Sequence, residues 1–319
     1  MSGLRQGGYV IAGFMRHAGF WSGTASTWVD LNPAGSTDST VFGVSGSQQA
    51  GVAAVGGRNQ ASLWSGTVAS WVNLNPAAAT SSIANDINGS QQVGYAIVGG
   101  ATRASLWTGT AASWVDLTPA VGGWTSSAGV GTSGTQQVGY VRNGGVAHAS
   151  LWSGTAASWI DLNPAGFSYS LAASVSGSQQ VGYVTPVGGA GGARRASLWS
   201  GTATSWVDLN PVGSTESQAF DTNGSLQVGF AIVGGVRRAS LWSGTADSWV
   251  DLGSFLPSGL TSSSAQGIST DGVNIYICGY GFNPVTGSNE ALLWSRPVPA
   301  PGAAALLGLG GLAALRRRR

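Results

Sequence analysis

The sequence predicts an all-β protein: a seven-bladed β-propeller of four-stranded repeats, followed by a short C-terminal transmembrane helix. Three observations carry this reading. Glycine makes up 52 of 319 residues, a density that costs too much backbone entropy for helix interiors. Trp, Val, Thr and Ser are abundant and favour strands and turns. Above all, the chain repeats itself. Residues 103–119 read RASLWTGTAASWVDLTP, 195–211 read RASLWSGTATSWVDLNP, and 238–253 read RASLWSGTADSWVDLG.

The first tryptophan of this motif recurs at Trp21, Trp64, Trp107, Trp152, Trp199, Trp242 and Trp294, at intervals of 43 to 52 residues. Each period holds four short segments. The first ends in a turn, as in residues 84–89 (ANDING) or 265–269 (AQGIS). The second is residues 91–98 (QQVGYAIV), closed by Gly99 and Gly100. The third is residues 104–107 (ASLW), and the fourth is residues 113–117 (SWVDL), closed by Thr118 and Pro119 or by Asn-Pro in other copies. Short apolar runs bounded by Gly-Gly, Ser-Gly and Asn-Pro are strand signals. Four strands in roughly 45 residues make a propeller blade; a parallel β-helix needs a shorter coil, and helical repeats need amphipathic helices.

Second and third segments occur seven times, first and fourth six times, which gives 26 strands, two short of seven full blades. The shortfall is one first segment at the front and one fourth segment at the back. Ring closure, which hides strand edges, therefore reads as incomplete. Met1 is expected to lie inside a repeat, with an upstream start supplying both the absent segment and an export signal. The domain reading is residues 1–294 for the propeller, 295–301 for a proline-rich linker and processing motif, and 302–319 for a membrane sorting segment with a basic tail.

Six copies carry a second tryptophan seven residues after the first: Trp28, Trp71, Trp114, Trp159, Trp206 and Trp249. A tight hairpin would set the two indoles of a copy opposite one another, packed on the neighbouring blade. The aspartates Asp30, Asp116, Asp161, Asp208 and Asp251, with Asn73 in the remaining copy, precede Leu and a turn. A side chain repeated in every blade is suited to satisfying turn amides, whereas catalysis needs asymmetry. Arginines share the link between second and third segments: Arg58, Arg103, Arg142, Arg194, Arg195, Arg237 and Arg238. In a propeller they form one rim, read either as solvated loop charge or as a weak site for an acidic extracellular polysaccharide. His17 and His148 take the arginine place in their copies and read as blade-edge residues.

Signals for an enzyme are few. Residues 129–134 (GVGTSG) match a dinucleotide-binding glycine pattern in form, but no helix follows, so that reading is rejected. Asp86 and Asp221 occupy equivalent first-segment places three blades apart, nearly opposite across the channel, and read as solvated carboxylates in preference to a metal site. Cys278 reads as a small buried core residue. A single cysteine excludes an intramolecular disulfide and a multi-cysteine zinc site. No cofactor or metal is implied, and a monomer is expected. The alternative from another class is a propeller glycan hydrolase or lyase whose channel would draw on Asp86, Asp221 and Glu216.

The formal net charge of +2 comes from the tail. All 14 basic residues are arginines, Arg316, Arg317, Arg318 and Arg319 end the chain, and without those four the 12 acidic residues leave a weakly acidic body. That argues against a nucleic-acid partner. Residues 295–319 read SRPVPAPGAAALLGLGGLAALRRRR. A helix over the uncharged residues 302–315 would span roughly 21 Å against a bilayer core of ~30 Å, a short spanner held by snorkelling or thinning. The arginines would stop transfer on the cytoplasmic side. The ordered series Val298, Pro299, Ala300, Pro301 and Gly302, then an apolar helix and a basic end, resembles the PEP-CTERM sorting signal, with Ala300 where the name pattern has Glu. That resemblance implies export, transient inner-membrane anchoring and an exosortase-type membrane protease as partner.

The body resembles the extracellular HAF repeat. His148, Ala149, Ser150, Leu151 and Trp152 keep part of its His-Ala-Phe pattern preceding Leu-Trp, with Ser for Phe, and Asp251-Leu252-Gly253 through Ser264-Ala265-Gln266-Gly267-Ile268 resemble its DLG…SxAxGI spacing. Kelch repeats share the layout less closely. The resemblance brings no established activity with it, and the expectation for the chain as a whole is a non-enzymatic surface or matrix protein.

Overall fold

The computed structural model describes residues 5–187 and 193–298, together with the backbone of residues 313–316. Apart from short 3-10 turns, every regular element described is a strand, as the glycine and β-branched content requires. The described residues run through seven antiparallel meanders. The first has three strands, β1 (Arg5–Ala12), β2 (Met15–Ser22) and β3 (Val29–Asp30). The second comprises β4 (Ser36–Ser45), β5 (Gln48–Val55), β6 (Arg58–Trp64) and β7 (Val72–Asn73); the third β8 (Ala79–Asn88), β9 (Gln91–Val98), β10 (Ala101–Trp107) and β11 (Val115–Asp116). The fourth comprises β12 (Ser126–Thr132), β13 (Gln137–Asn143), β14 (Val146–Trp152) and β15 (Ile160–Asp161); the fifth β16 (Phe167–Ser176), β17 (Gln179–Pro186), β18 (Arg195–Trp199) and β19 (Val207–Asp208). One parallel bridge, Ala147 to Tyr169, joins these two into a single eight-stranded sheet. The sixth is β20 (Ser214–Thr222), β21 (Gln227–Val233), β22 (Val236–Trp242) and β23 (Val250–Asp251); the seventh is β24 (Ser262–Thr270), β25 (Asn274–Asn283), β26 (Ser288–Pro297) and β27 (Ala313–Arg316).

Consecutive meanders pack face to face through one repeated device. The third-strand tryptophan of each meander from the second to the seventh is fully buried, and five of the six are wedged with the leucines of the preceding meander. Trp152, for example, lies with Leu106 and Leu117, and Trp199 with Leu151 and Leu162. A serine fastens each interface. The backbone N–H of Ala18, Ala61, Ala104, Ala149, Ala196 and Ala239 donates to Ser39, Ser82, Ser127, Ser170, Ser217 and Ser263 of the next meander, and all six serines are buried. A buried hydroxyl left unpaired would be costly; here each accepts a backbone hydrogen, and five also bond the Asn or Thr of the preceding Asn-Pro or Thr-Pro turn.

The ladder runs in the register that sets the two tryptophans of a copy opposite one another, Ser105 with Asp116 and Leu106 with Val115, but it stops one pair short of Trp107 and Trp114, and a 3-10 turn over Ala111–Ser113 stands in place of a tight hairpin. Trp107 is the interface wedge, while the Trp114 indole donates to Ser105 Oγ at 2.8 Å; in the first copy the Trp21 and Trp28 rings lie 4.5 Å apart. Both still pack at the same inter-meander contact. The first meander departs from this plan. Gly19 replaces the serine, Trp28 fills the space where a Cβ would come within 2.3 Å of its ring, and Trp21 is only half-buried.

Three expectations change at the ends of elements. First strands start earlier than their turn signals, since β8 begins at Ala79, not at residue 84. Strand β26 continues through Pro297, whose place at the strand end leaves no ladder hydrogen bond to lose. Residues 313–316 pair with β26 as β27, so over these four residues the expected transmembrane helix is replaced by a strand. Residues 299–312 and 317–319 lie outside the described residues. Among those described, no helix is long and apolar enough to cross a membrane.

Because Trp152 is a full wedge and Trp21 is not, truncation should separate them. Trp152→Ala is expected to destabilise by about 3–5 kcal/mol and Trp21→Ala by less than half of that, read from urea unfolding midpoints of the two variants.

Candidate functional site

The inner strands surround a central channel to which every meander contributes. One cavity of about 280 Å³ is lined by Gln6 and Gly7 of β1, then in turn by residues of β4, β8, β12, β16, β20, β24 and β25. A second, of about 210 Å³, continues it on a more polar side, and Asp86, Ser174 and Asp221 border both.

The side chains reach the channel through a defect repeated in each inner strand. Each breaks register by one residue, at Val41/Gly43, Ala84/Asp86, Gly129/Gly131, Ala172/Ser174, Ala219/Asp221 and Ala265/Gly267. A bulge leaves one residue unpaired and re-aims it. The extra residues are Phe42, Asn85, Val130, Ala173, Phe220 and Gln266, and all six line the channel. This ring was not found by sequence reasoning. Its signal was available: it is a first-strand position that changes chemistry in nearly every copy, while its neighbours repeat.

The two channel aspartates are fixtures of the wall. Asp86 Oδ2 accepts from the N–H of Thr132 in the next meander. Asp221 Oδ1 accepts from Ser174 Oγ of the preceding meander, and Oδ2 accepts from the N–H of Ile268 in the following one. They line one channel from the third and sixth meanders, as their spacing predicts. Burial pushes the Asp86 carboxyl up to about 6 against the pull of its Thr132 and Ile87 amides, and burial likewise raises Asp221. Among the described residues no group of three His, Cys, Asp or Glu side chains could hold a metal ion. Two candidates move. Cys278 is a channel-lining residue, not a core one, and burial raises its thiol. Glu216 is not in the channel: it pairs opposite Ile232, accepts from Gln218 Nε2 and faces Arg194 at 4.0 Å.

The repeated charges at the rim are largely committed to one another. Asp116, Asp208 and Asp251 each turn Oδ2 to the arginine 13 residues earlier, Arg103, Arg195 and Arg238, while Oδ1 accepts the amide two residues on. His17 with Asp30 and His148 with Asp161 make the same clamp through Nδ1 at 2.9 and 2.7 Å. The turn-amide role read from repetition is thus what the aspartates do, and the histidines stand in the arginine place. Arg194 also lies over the Tyr183 ring and Arg237 over Phe230, while Arg142 Nε donates to the carbonyl of Gly144. Arg58, Arg142 and Arg237 face no carboxylate among the described residues. The sorting residues Pro299, Ala300, Pro301 and Gly302, and Arg317, Arg318 and Arg319, lie outside the described residues. Val298 ends the described body, its N–H donating to the carbonyl of Val273 at 2.7 Å. Of Arg316, only the backbone in β27 is described.

Among solved structures, the chain resembles the β-propeller domain of the trilobed protease from Pyrococcus furiosus, which is described as having an open velcro topology. The TM-score is 0.60 at 11% identity, over 93% of this chain and 95% of that one. It also resembles a puromycin hydrolase (TM-score 0.63, 12% identity, 95% of this chain and 54% of that one) and an acylaminoacyl peptidase (0.54, 13%, 88% and 47%). The chain spans about half the length of these two enzymes. These likenesses show a β-propeller fold. No protein-family model and no curated protein sequence matches the chain.

The aspartate environment yields a pH test. Asp86 holds its proton more tightly folded, near pH 6, than unfolded, near 3.8. Its contribution therefore favours the fold at acid pH and is lost as the pH rises through 6. Asp86→Asn, which keeps the Thr132 acceptor, is expected to gain stability over the unsubstituted protein between pH 4 and 7 and to hold a constant advantage above. Urea midpoints across that range check it.

Proposed function

We propose that this protein is a seven-bladed, non-enzymatic propeller displayed outside the cell and held at the inner membrane through residues 302–319. The observation that carries the reading is the use made of the repeated polar residues. Aspartates clamp arginines and histidines, and buried serines take backbone hydrogens between meanders. Little repeated chemistry is left over for a reaction. The two channel carboxylates, Asp86 and Asp221, are engaged by wall amides and a serine, which weighs against a glycan hydrolase or lyase.

Export and processing rest on the tail pattern, Val298 to Gly302 followed by an apolar run and four arginines. An exosortase-type membrane protease is the partner that this pattern implies. In the anchored form residues 313–316 would leave β26 for the bilayer. The rim arginines without a carboxylate, Arg58, Arg142 and Arg237, supply the positive charge for weak binding of an acidic extracellular polysaccharide. Binding that ignores salt, or that survives their joint replacement by Ser, contradicts the polysaccharide partner.

Deletion of residues 302–319 tests the anchor. Fractionation of cells expressing that variant is expected to find the propeller in the soluble fraction, and a variant still sedimenting with membranes contradicts the proposal.

A further inference from the structure

Side chains that do not repeat converge on the channel, and its lining is one-sided in charge. Asp86 and Asp221 stand where the two cavities meet. Among the described residues no arginine or histidine lines either cavity, and the sequence contains no lysine. Thr132, Ser174 and Ile268 hold the two carboxylates through neutral donors, which fix their place without cancelling their charge. Asp86 stays ionised above about pH 6. The preceding meander also makes room for it: a Cβ on Gly43 would lie 2.9 Å from Asp86 Oδ1 and 2.9 Å from the Ile87 nitrogen, so only glycine admits the carboxylate there.

The amides of the bulge ring add acceptors to this charge. Gln266 gives its amide hydrogens to Ser264 Oγ and the Ala265 carbonyl at 2.8 and 3.4 Å, and Asn85 donates to the Gly129 carbonyl at 2.8 Å. What each keeps for a solute is its carbonyl oxygen. Two rings complete the lining. Phe42, which is exposed, and Phe220 border the larger cavity and not the more polar one. Carboxylates, amide oxygens and aromatic faces together select a cation that carries both N–H donors and a carbon body. A bare divalent ion would require about six to eight oxygen ligands and would gain nothing from the rings.

We propose that the channel binds a small organic ammonium ion, its N–H groups against Asp86 and Asp221 and its carbon end against Phe42 and Phe220. A cavity of about 280 Å³ accommodates an amine of a few carbons. Away from bulk water, the attraction between its charge and the two carboxylates is stronger than it would be at the surface. The wall donors keep both carboxylates in position before the ion arrives, so binding costs little reorganisation. The site uses no residue of the tail and none of the rim arginines, so it stands or falls separately from export and anchoring.

The test uses the full chain, isotopically labelled at its phenylalanine rings, and two probes of nearly the same shape, tert-butylammonium chloride and tert-butanol. Titration followed by NMR is expected to show saturable shifts of the Phe42 and Phe220 ring signals with tert-butylammonium, and binding of the neutral alcohol at least about tenfold weaker. Asp86→Asn keeps an acceptor for Thr132 and removes one charge; it should weaken tert-butylammonium at least about fivefold and leave tert-butanol unchanged. Phe42→Ala alters an exposed side chain, should also weaken tert-butylammonium, and keeps the test open if Asp86→Asn fails to fold. Failure to saturate, equal affinity for the alcohol, or binding undiminished by either substitution overturns the proposal.

Discussion

Everything in this fold rests on the contact between one meander and the next. A β-sheet of four short strands cannot bury both of its faces alone. The chain solves this with a wedge and a pin. The wedge is a fully buried indole such as Trp152, set among leucines of the preceding sheet. The pin is a buried serine such as Ser170, which takes the N–H of Ala149 and passes its own hydrogen to Asn163. Apolar burial supplies most of the stabilisation, and the serine fixes register, because a slip by one residue would leave a buried donor without an acceptor.

Repetition and variation divide the labour. The positions that recur in nearly every meander, Trp, Leu, Ser and the Asp clamp, are spent on holding neighbours together. The residues that do not recur sit on the bulges, where Phe42, Asn85, Val130, Ala173, Phe220 and Gln266 meet around the channel. A bulge exempts one side chain from the alternation that packing imposes on the rest of the strand. Asn85 also ties its bulge to the carbonyl of Gly129 in the next meander, and Asp86 and Asp221 brace the wall behind the ring.

The period, the four-strand repeat and the aspartate turn role were legible because each is a repeated, local signal. Positive-φ pairs such as Gly99 and Gly100, at φ 59° and 81°, announce their hairpins in the same way. The spacing of the tryptophans by seven gave the register of the third and fourth strands, since Leu106 pairs with Val115, while the 3-10 turn that replaces a tight hairpin carries no apolar signal. First strands were started too late because their buried faces are made of Ser and Ala, which carry no apolar alternation in the sequence. Glu216 shares its strand with Asp221, and only the register shows that it lies at the rim end, next to Arg194.

Hydrogen exchange of the free protein, resolved strand by strand, tests most directly that wedge and pin lock the middle meanders, whereas the first, with Gly19 in the serine's place and Trp21 half-buried, is held less tightly. The account predicts slow exchange in the second and third strands of the middle meanders, β9, β10, β13, β14, β17 and β18, and markedly faster exchange along β1 and around Trp21. Equal protection of β1 and β13 would contradict it.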